Sequence, residues 1–203
     1  MFDSGISFKE LVDELKNEVD VAIPIPDASY VLWGNSLEHL LYTEIIQEQN
    51  KIEIINPDDS PIDLAVLDVP SSEAAVRFED VYTVFADDTQ LIKSTATSGV
   101  IFPDTFYKTD NKLGYNVTEK PKSLTIVYFV KPVLKTVDES GGISDGDVML
   151  PIEFIELAKA KLRGEAYKLA NEDNLAAKWL NDYNVLLETF KAWISGKQPE
   201  FGM

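Results

Sequence analysis

A serine motif with the spacing of a hydrolase nucleophile occurs at Gly142-Ile-Ser-Asp-Gly146, which fits the pattern G-x-S-x-G. The motif works in hydrolases because a strand, a sharp turn and a helix expose the serine, and the catalytic histidine follows it in the chain. Here a polar loop surrounds Ser144, and the only histidine of the chain, His39, precedes it. The motif therefore predicts a surface loop and not a serine hydrolase.

The sequence also contains no residue pattern that predicts a metal or cofactor site. A histidine-built metal site needs a second histidine or a set of carboxylates around His39, and Asp145 and Asp147 lack the further acidic positions of a calcium loop. With no cysteine, thiol nucleophiles, disulfides and cysteine-bound metals are excluded. We expect no catalytic residue, no metal site, no cofactor and no enzyme activity. An acidic active site stays open as an alternative, because spacing does not single out a carboxylate pair among 35 acidic residues.

The formal net charge is −17, and residues 1–60 hold 13 acidic but only 3 basic residues. Proteins that bind nucleic acid need a basic patch to neutralise phosphates, so we expect no specific nucleic-acid binding. The acidity favours either simple solubility or a surface that DNA passes without sticking. No run of about 18 apolar residues predicts a membrane span, and the first residues lack the features of a signal peptide.

Apolar residues at helical spacing predict two helices at each end of the sequence. Ser7 and Glu10 have capping-box spacing, which predicts a first helix over 7–19, and Asp27 is the expected cap of a second over 28–49. The third helix is expected to open at Leu150-Pro151, and Asp173 is the expected cap of the fourth. Their apolar stripes place both Trp33 and Trp179 in the core.

Between these helices the pattern changes to short β-rich runs separated by turn clusters. The predicted strands are Ile52–Ile55, Ile62–Val69, Val76–Phe85, Thr89–Ile92 and Ser123–Lys131. Because strands do not alternate with helices, the fold class is α+β. We expect a helical bundle from 1–50 and 150–195, a β-rich insertion lobe over 51–135, a flexible polar loop over 136–149 and a tail over 196–203.

Several short motifs occur in a characteristic order along this framework. They are the Leu37–Ile46 run of the second helix, the strand–turn–strand from Val81 to Leu91, the strand Leu124–Pro132, the Leu150-Pro151 helix start, and Glu172-Asp173-Asn174 followed by Tyr183. The order resembles that of the head–tail connector, or adaptor, proteins of tailed phages, including the podovirus tail tubular (gatekeeper-type) proteins. The resemblance spans nearly the whole chain.

The resemblance implies a structural virion protein that forms a ring, commonly of twelve copies, in the phage neck. The ring would join the portal to the tail and line the DNA channel, with the portal protein and the next neck or tail ring protein as partners. It implies location in the virion, and in the host cytoplasm during assembly. The alternatives are another tail-completion or virion protein, and a non-viral protein-binding module that uses the β lobe.

The C-terminal segment carries the candidate partner-binding residues. The helical pattern stops at Ile194, Gly196 is placed to end the helix, and Pro199 blocks its renewal. Phe201 and Met203 are apolar residues with no stripe to join. We expect Pro199, Phe201 and Met203 to dock on the portal or on a neighbouring ring subunit; the alternative is a frayed terminus.

Overall fold

The computed structural model describes residues 4–58, 61–71, 73–95, 102–110, 112–144 and 146–197. The chain divides into two compact units: the first consists of Met1–Ile46 with Pro132–Met203, and the second is Gln47–Lys131. The first unit contains the long helices and the second contains a mixed sheet. The predicted α+β class, with a β-rich insertion between helical segments, is confirmed.

The described part of the first unit contains four α-helices. They are α1 (Phe8–Glu18), α2 (Asp27–Leu40), α3 (Ile155–Leu169) and α4 (Asp173–Lys197). The predicted capping box is present: the Ser7 hydroxyl accepts the Glu10 N–H at 3.1 Å, and the Glu10 carboxylate accepts the Ser7 N–H at 3.1 Å. These bonds satisfy backbone N–H groups at the N-terminus of α1. The helix then buries Phe8, Leu11 and Leu15 along one stripe.

The second helix is shorter than the prediction of 28–49. Its α-helical part ends at Leu40, a π-helical segment follows over Leu41–Ile46, and a strand begins at Gln49. Asp27 was expected to cap the helix, but Pro26 holds that position and the Asp27 carboxylate pairs with Lys16. The left-handed backbone of Gln47 (φ 48°) ends the helical path.

Helices α3 and α4 form an antiparallel pair joined by a short turn, as their patterns predicted. Pro151 precedes one 3₁₀ turn (Ile152–Phe154), and the α-helix starts only after it. A Cβ atom on Gly164 would lie 2.7 Å from the Leu180 side chain, so only glycine permits this close approach. Helix α4 continues through Lys197, and the expectation that Gly196 ends it was therefore wrong.

Both tryptophans that the sequence placed in the core are only half-buried. Trp33 packs edge-on against Tyr30 with 5.5 Å between ring centroids, and the Arg163 guanidinium lies 4.6 Å from the ring centroid of Trp179. The fully enclosed aromatic residue of α4 is Phe190. The 3/4 spacing of α4 therefore identified the side of the helix that makes contacts, but it did not show how deeply each side chain is buried.

The residues described in the second unit form a seven-stranded sheet in the order β1-β7-β3-β4-β5-β6-β2. Its strands are β1 (Gln49–Ile55), β2 (Ile62–Asp63), β3 (Val81–Ala86), β4 (Thr89–Lys93), β5 (Thr105–Thr109), β6 (Lys112–Asn116) and β7 (Ser123–Phe129). The β4–β5 pair is parallel and the other pairs are antiparallel. One face of β7 supplies Leu124, Ile126 and Tyr128 to the core, while the intervening residues are half-buried.

The strand predictions needed three corrections. Strands β5 and β6 were not predicted. Most of the run 62–69 is not a strand, since β2 ends at Asp63, whose carboxylate accepts the Ala65 N–H and starts a 3₁₀ turn. The run 76–85 is interrupted by a 3₁₀ turn over Phe78–Asp80, because the Asp80 carboxylate accepts the Arg77 N–H at 3.2 Å.

The segment 136–149, expected to be a flexible polar loop, has a defined path within the first unit. Val137 and Ile143 form an antiparallel bridge, and the Asp138 carboxylate between them accepts the N–H groups of Ser140 (2.8 Å) and Gly142 (3.0 Å). These bonds lower the pKa of Asp138, with the Ser140 hydroxyl the largest cause. The segment ends in two buried residues, 148 and 149, and Leu150 after it is buried as well.

Candidate functional site

The serine singled out by the G-x-S-x-G pattern is engaged in holding the bridged turn. The Ser144 hydroxyl donates to the Thr136 carbonyl oxygen at 2.8 Å and lies 2.8 Å from the Thr136 hydroxyl. His39 is exposed near the end of α2. Ser144 therefore acts as a turn-stabilising group, and no described contact activates it as a nucleophile.

Of the other candidate site residues that the sequence singled out, one lies in the described part of the chain. Asp147 is exposed and its backbone bridges that of Ser7, while Asp145 lies outside the described residues. Pro199, Phe201 and Met203, the candidate docking residues, also lie outside the described residues. Within the described part of the chain, no group of three or more histidine, aspartate or glutamate side chains is arranged to hold a metal ion.

The most enclosed charged site of the first unit is an ion pair between Glu38 of α2 and Lys135. Their side chains are only 4% and 2% exposed. The second Glu38 oxygen accepts the backbone N–H of Met149 at 3.0 Å, and the Lys135 ammonium lies 5.2 Å from the ring centroid of Phe8. The pair thus connects α2 with both ends of the segment 135–149.

The backbone of Lys135 is held by a second residue of α2. The Asn35 side chain donates to the Lys135 carbonyl and accepts its N–H, each at 2.9 Å. Burial raises the pKa of Glu38, while the Lys135 charge and the hydrogen bonds of the carboxylate partly oppose that rise. Because the cluster is closed to solvent, its role is to fasten this segment to α2 and not to bind a ligand.

The second unit encloses a smaller polar cluster around Glu73. The carboxylate accepts the Tyr128 hydroxyl at 2.8 Å and the Asn50 side-chain amide at 3.0 Å. Burial, and secondly the hydrogen bond to Glu73, raises the pKa of Tyr128 above its ordinary value. The cluster joins β1, β7 and the segment before β3, and we assign it a structural role as well.

An open groove of about 610 Å³ lies on the second unit. Its lining residues are Lys51, Glu53, Asp87, Asp88, Lys122, Ser123 and Thr125. One Asp87 oxygen already accepts the backbone N–H groups of Lys122 and Ser123, each at 2.9 Å. Because the groove carries both signs of charge and the Asp87 carboxylate is already engaged, it offers no concentrated site for a small anion or cation.

The features most suited to an interaction are exposed apolar side chains on the sheet. Tyr82 is 56% exposed, Ile92 is 70% exposed and Ile55 is 62% exposed. Tyr82 packs edge-on against Phe129 with 5.4 Å between centroids, which holds an aromatic pair at the surface. Such groups favour contact with another protein surface over chemistry on a small molecule.

Sequence reasoning missed both buried polar clusters. The available signal for Glu38 was its place inside the Leu37–Ile46 run, directly after Leu37, since an acidic residue among buried positions needs a partner. The partner, Lys135, is 97 residues away and carried no signal of its own.

None of the described helices is long and apolar enough to cross a membrane. No protein-family model matches this chain, and no curated protein matches it.

Proposed function

We propose that the protein is a structural component of a tailed-phage neck, where copies of it form a ring that joins the portal to the tail. The observation that carries the proposal is the chain order, in which a β-rich unit is inserted between paired helices at each end. This is the order that the resemblance to head–tail connector proteins implies. The closed character of the buried polar clusters agrees with a structural role.

Two further properties support this function. Exposed apolar side chains such as Tyr82 and Ile92 provide area for contacts between subunits. The net charge of −17 suits a channel that DNA passes, because repulsion keeps phosphates from adhering and is screened over roughly 10 Å at 0.1 M salt. The ring would reside in the virion, with the portal and the next ring protein as its neighbours.

The test is co-expression with the portal protein encoded by the same genome, followed by negative-stain microscopy of the purified particles. We expect an additional ring of density below the portal, with the portal's rotational symmetry. Ile92→Glu adds a buried charge to any contact that uses this sheet face, and should reduce ring occupancy without changing thermal melting. If the protein never copurifies with portal particles at saturating concentration, the proposal is wrong.

The second candidate is a protein-binding module outside the virion. The same exposed residues on the sheet favour it, because they fit any protein partner of matching shape. This function predicts capture of a cellular protein by the sheet face and no association with a portal, so the same microscopy experiment separates the two candidates.

A further inference from the structure

Among the residues that the structure describes, no strand pairs with the outer edge of β1. In this part of the chain β1 pairs with β7 alone and ends the sheet order on one side. At the opposite side the sheet ends in β2, which has only two residues and pairs with β6 in the described part of the chain. β1, with seven residues, is therefore the edge strand that offers a full length of backbone to another strand.

The direction of the free backbone groups follows from the hydrogen bonds at the two ends of β1. Asn56 donates its backbone N–H to Lys122, and the Glu48 carbonyl accepts the N–H of Val130. The backbone N–H and C=O groups of the even-numbered residues of β1 therefore point toward β7. Those of the odd-numbered residues point outward, away from the sheet. The side chains alternate as well: odd-numbered residues are exposed and even-numbered ones half-buried.

The strand is self-complementary in charge. When β1 is paired antiparallel with a second β1 over its full length, Ile52 lies on the two-fold axis and Gln49 faces Ile55 of the other copy. In that register Lys51 lies opposite Glu53 of the other copy, twice. Moving one strand by two residues would set Lys51 opposite Lys51, or Glu53 opposite Glu53, which is unfavourable. The full-overlap register is therefore the one that the charges select.

The same register matches hydrogen bonding and burial. Lys51 and Glu53 are odd-numbered, so their outward backbone groups meet as a hydrogen-bonded pair. Ile52 meets its symmetry mate as a close non-hydrogen-bonded pair, which covers a side chain that is only half-buried in the single chain. The Lys51 N–H, which now donates to the Asn50 side chain at 2.8 Å, would exchange that acceptor for a strand carbonyl.

We infer that two copies of this chain associate through β1, forming a continuous antiparallel sheet about a two-fold axis at Ile52. Two strands of seven residues bury less area than a standard interface, so we expect a weak dimer that forms only at high protein concentration. A two-fold contact closes with two copies. It is therefore distinct from a ring contact, and the inference does not rest on the proposed function.

Disulfide trapping tests the register, because the chain has no cysteine of its own. Ile52→Cys places two thiols on the axis, with Cα atoms about 4.5 Å apart across the non-hydrogen-bonded pair, within disulfide range. Ile54→Cys is the matched control: four residues of offset separate its two thiols by roughly 13 Å. Under mild oxidation at high concentration we expect a covalent dimer of the first variant and not of the second. Equal trapping of both variants, or trapping of neither, would overturn the inference.

Charge exchange tests the selection of partners. Lys51→Glu should weaken self-association at least ten-fold in sedimentation velocity at about 0.15 M salt, while the double exchange Lys51→Glu/Glu53→Lys should restore it. Lys9→Glu, an exposed position on α1, makes the same change in net charge and should leave association unchanged. A wild-type chain that stays monomeric at several hundred micromolar, or a Lys9→Glu variant as weak as Lys51→Glu, would contradict the proposed contact.

Discussion

Replacing Lys135 by methionine tests the buried ion pair of the first unit. The side chain keeps much of its length but loses the ammonium, so the Glu38 carboxylate, 4% exposed, retains only the Met149 N–H as a described partner. Removing one member of a buried pair costs about 3–5 kcal/mol. The Asn35 bonds reach the Lys135 backbone and should persist. Urea unfolding at pH 7, followed by circular dichroism, measures the loss.

The stability deficit of Lys135→Met should depend on pH. The folded pKa of Glu38 is raised above its ordinary value of 4.5, so the folded state binds a proton more readily than the unfolded state. Its contribution to stability therefore grows as pH falls through the folded pKa, and it is complete below the unfolded value. Without the Lys135 charge this pKa rises further, so the deficit of Lys135→Met relative to wild type should shrink between pH 7 and pH 5.

The matched control is the double variant Glu38→Gln/Lys135→Met. The amide oxygen can still accept the Met149 N–H, and no charge is left buried, so its free energy of unfolding should lie within about 1–2 kcal/mol of wild type. A free energy of unfolding of Lys135→Met within about 0.5 kcal/mol of wild type at pH 7, or the same deficit at both pH values, would contradict the stabilising role of the ion pair.

Three further outcomes are expected. Gly164→Ala should destabilise the protein by about 1–3 kcal/mol in urea unfolding, because its Cβ would overlap Leu180; Gly196→Ala, with open space around the Cβ position, should be neutral or slightly stabilising. Phe190→Ala should lower the free energy of unfolding by about 3–5 kcal/mol, because Phe190 is fully buried. Trp179→Ala should lower it by only about 1–2 kcal/mol, because Trp179 is half-buried, and equal losses would contradict this difference in burial. Duplex DNA should not bind at about 0.15 M salt in a mobility-shift assay, and micromolar affinity would contradict the charge argument.

Local signals allowed parts of the fold to be predicted from sequence. The start of α1 could be identified because its capping box depends on residues three positions apart, Ser7 and Glu10. The α3–α4 pair could be identified because each helix has a long stripe and the turn between them is polar. The strands of the missed β5–β6 hairpin are short, and the Tyr107 ring packs over Gly114 on the opposite strand, a cross-strand contact that no alternation pattern records.

The candidate sites were less predictable for a physical reason. Asn50, Glu73 and Tyr128 meet only after β1 and β7 have paired, and each looks ordinary in its own segment. The open edge of β1 likewise depends on sheet order, which a list of strands does not give. The alternation of charge in Lys51 and Glu53 was visible in the sequence, but its meaning required knowing that this strand ends the sheet.

The discontinuity of the first unit has a consequence for synthesis on the ribosome. Glu38 and Lys135 are 97 residues apart, and translation at about 5–20 residues per second separates their appearance by roughly 5–20 s. During that interval α1 and α2 lack α3, on which they pack, while the strands of Gln47–Lys131 emerge one after another and can pair. The inserted unit can therefore fold before the unit that begins the chain. Chaperones that shield apolar helices would act on the apolar stripe of α1, Phe8 to Leu15, until the last third of the chain has been made.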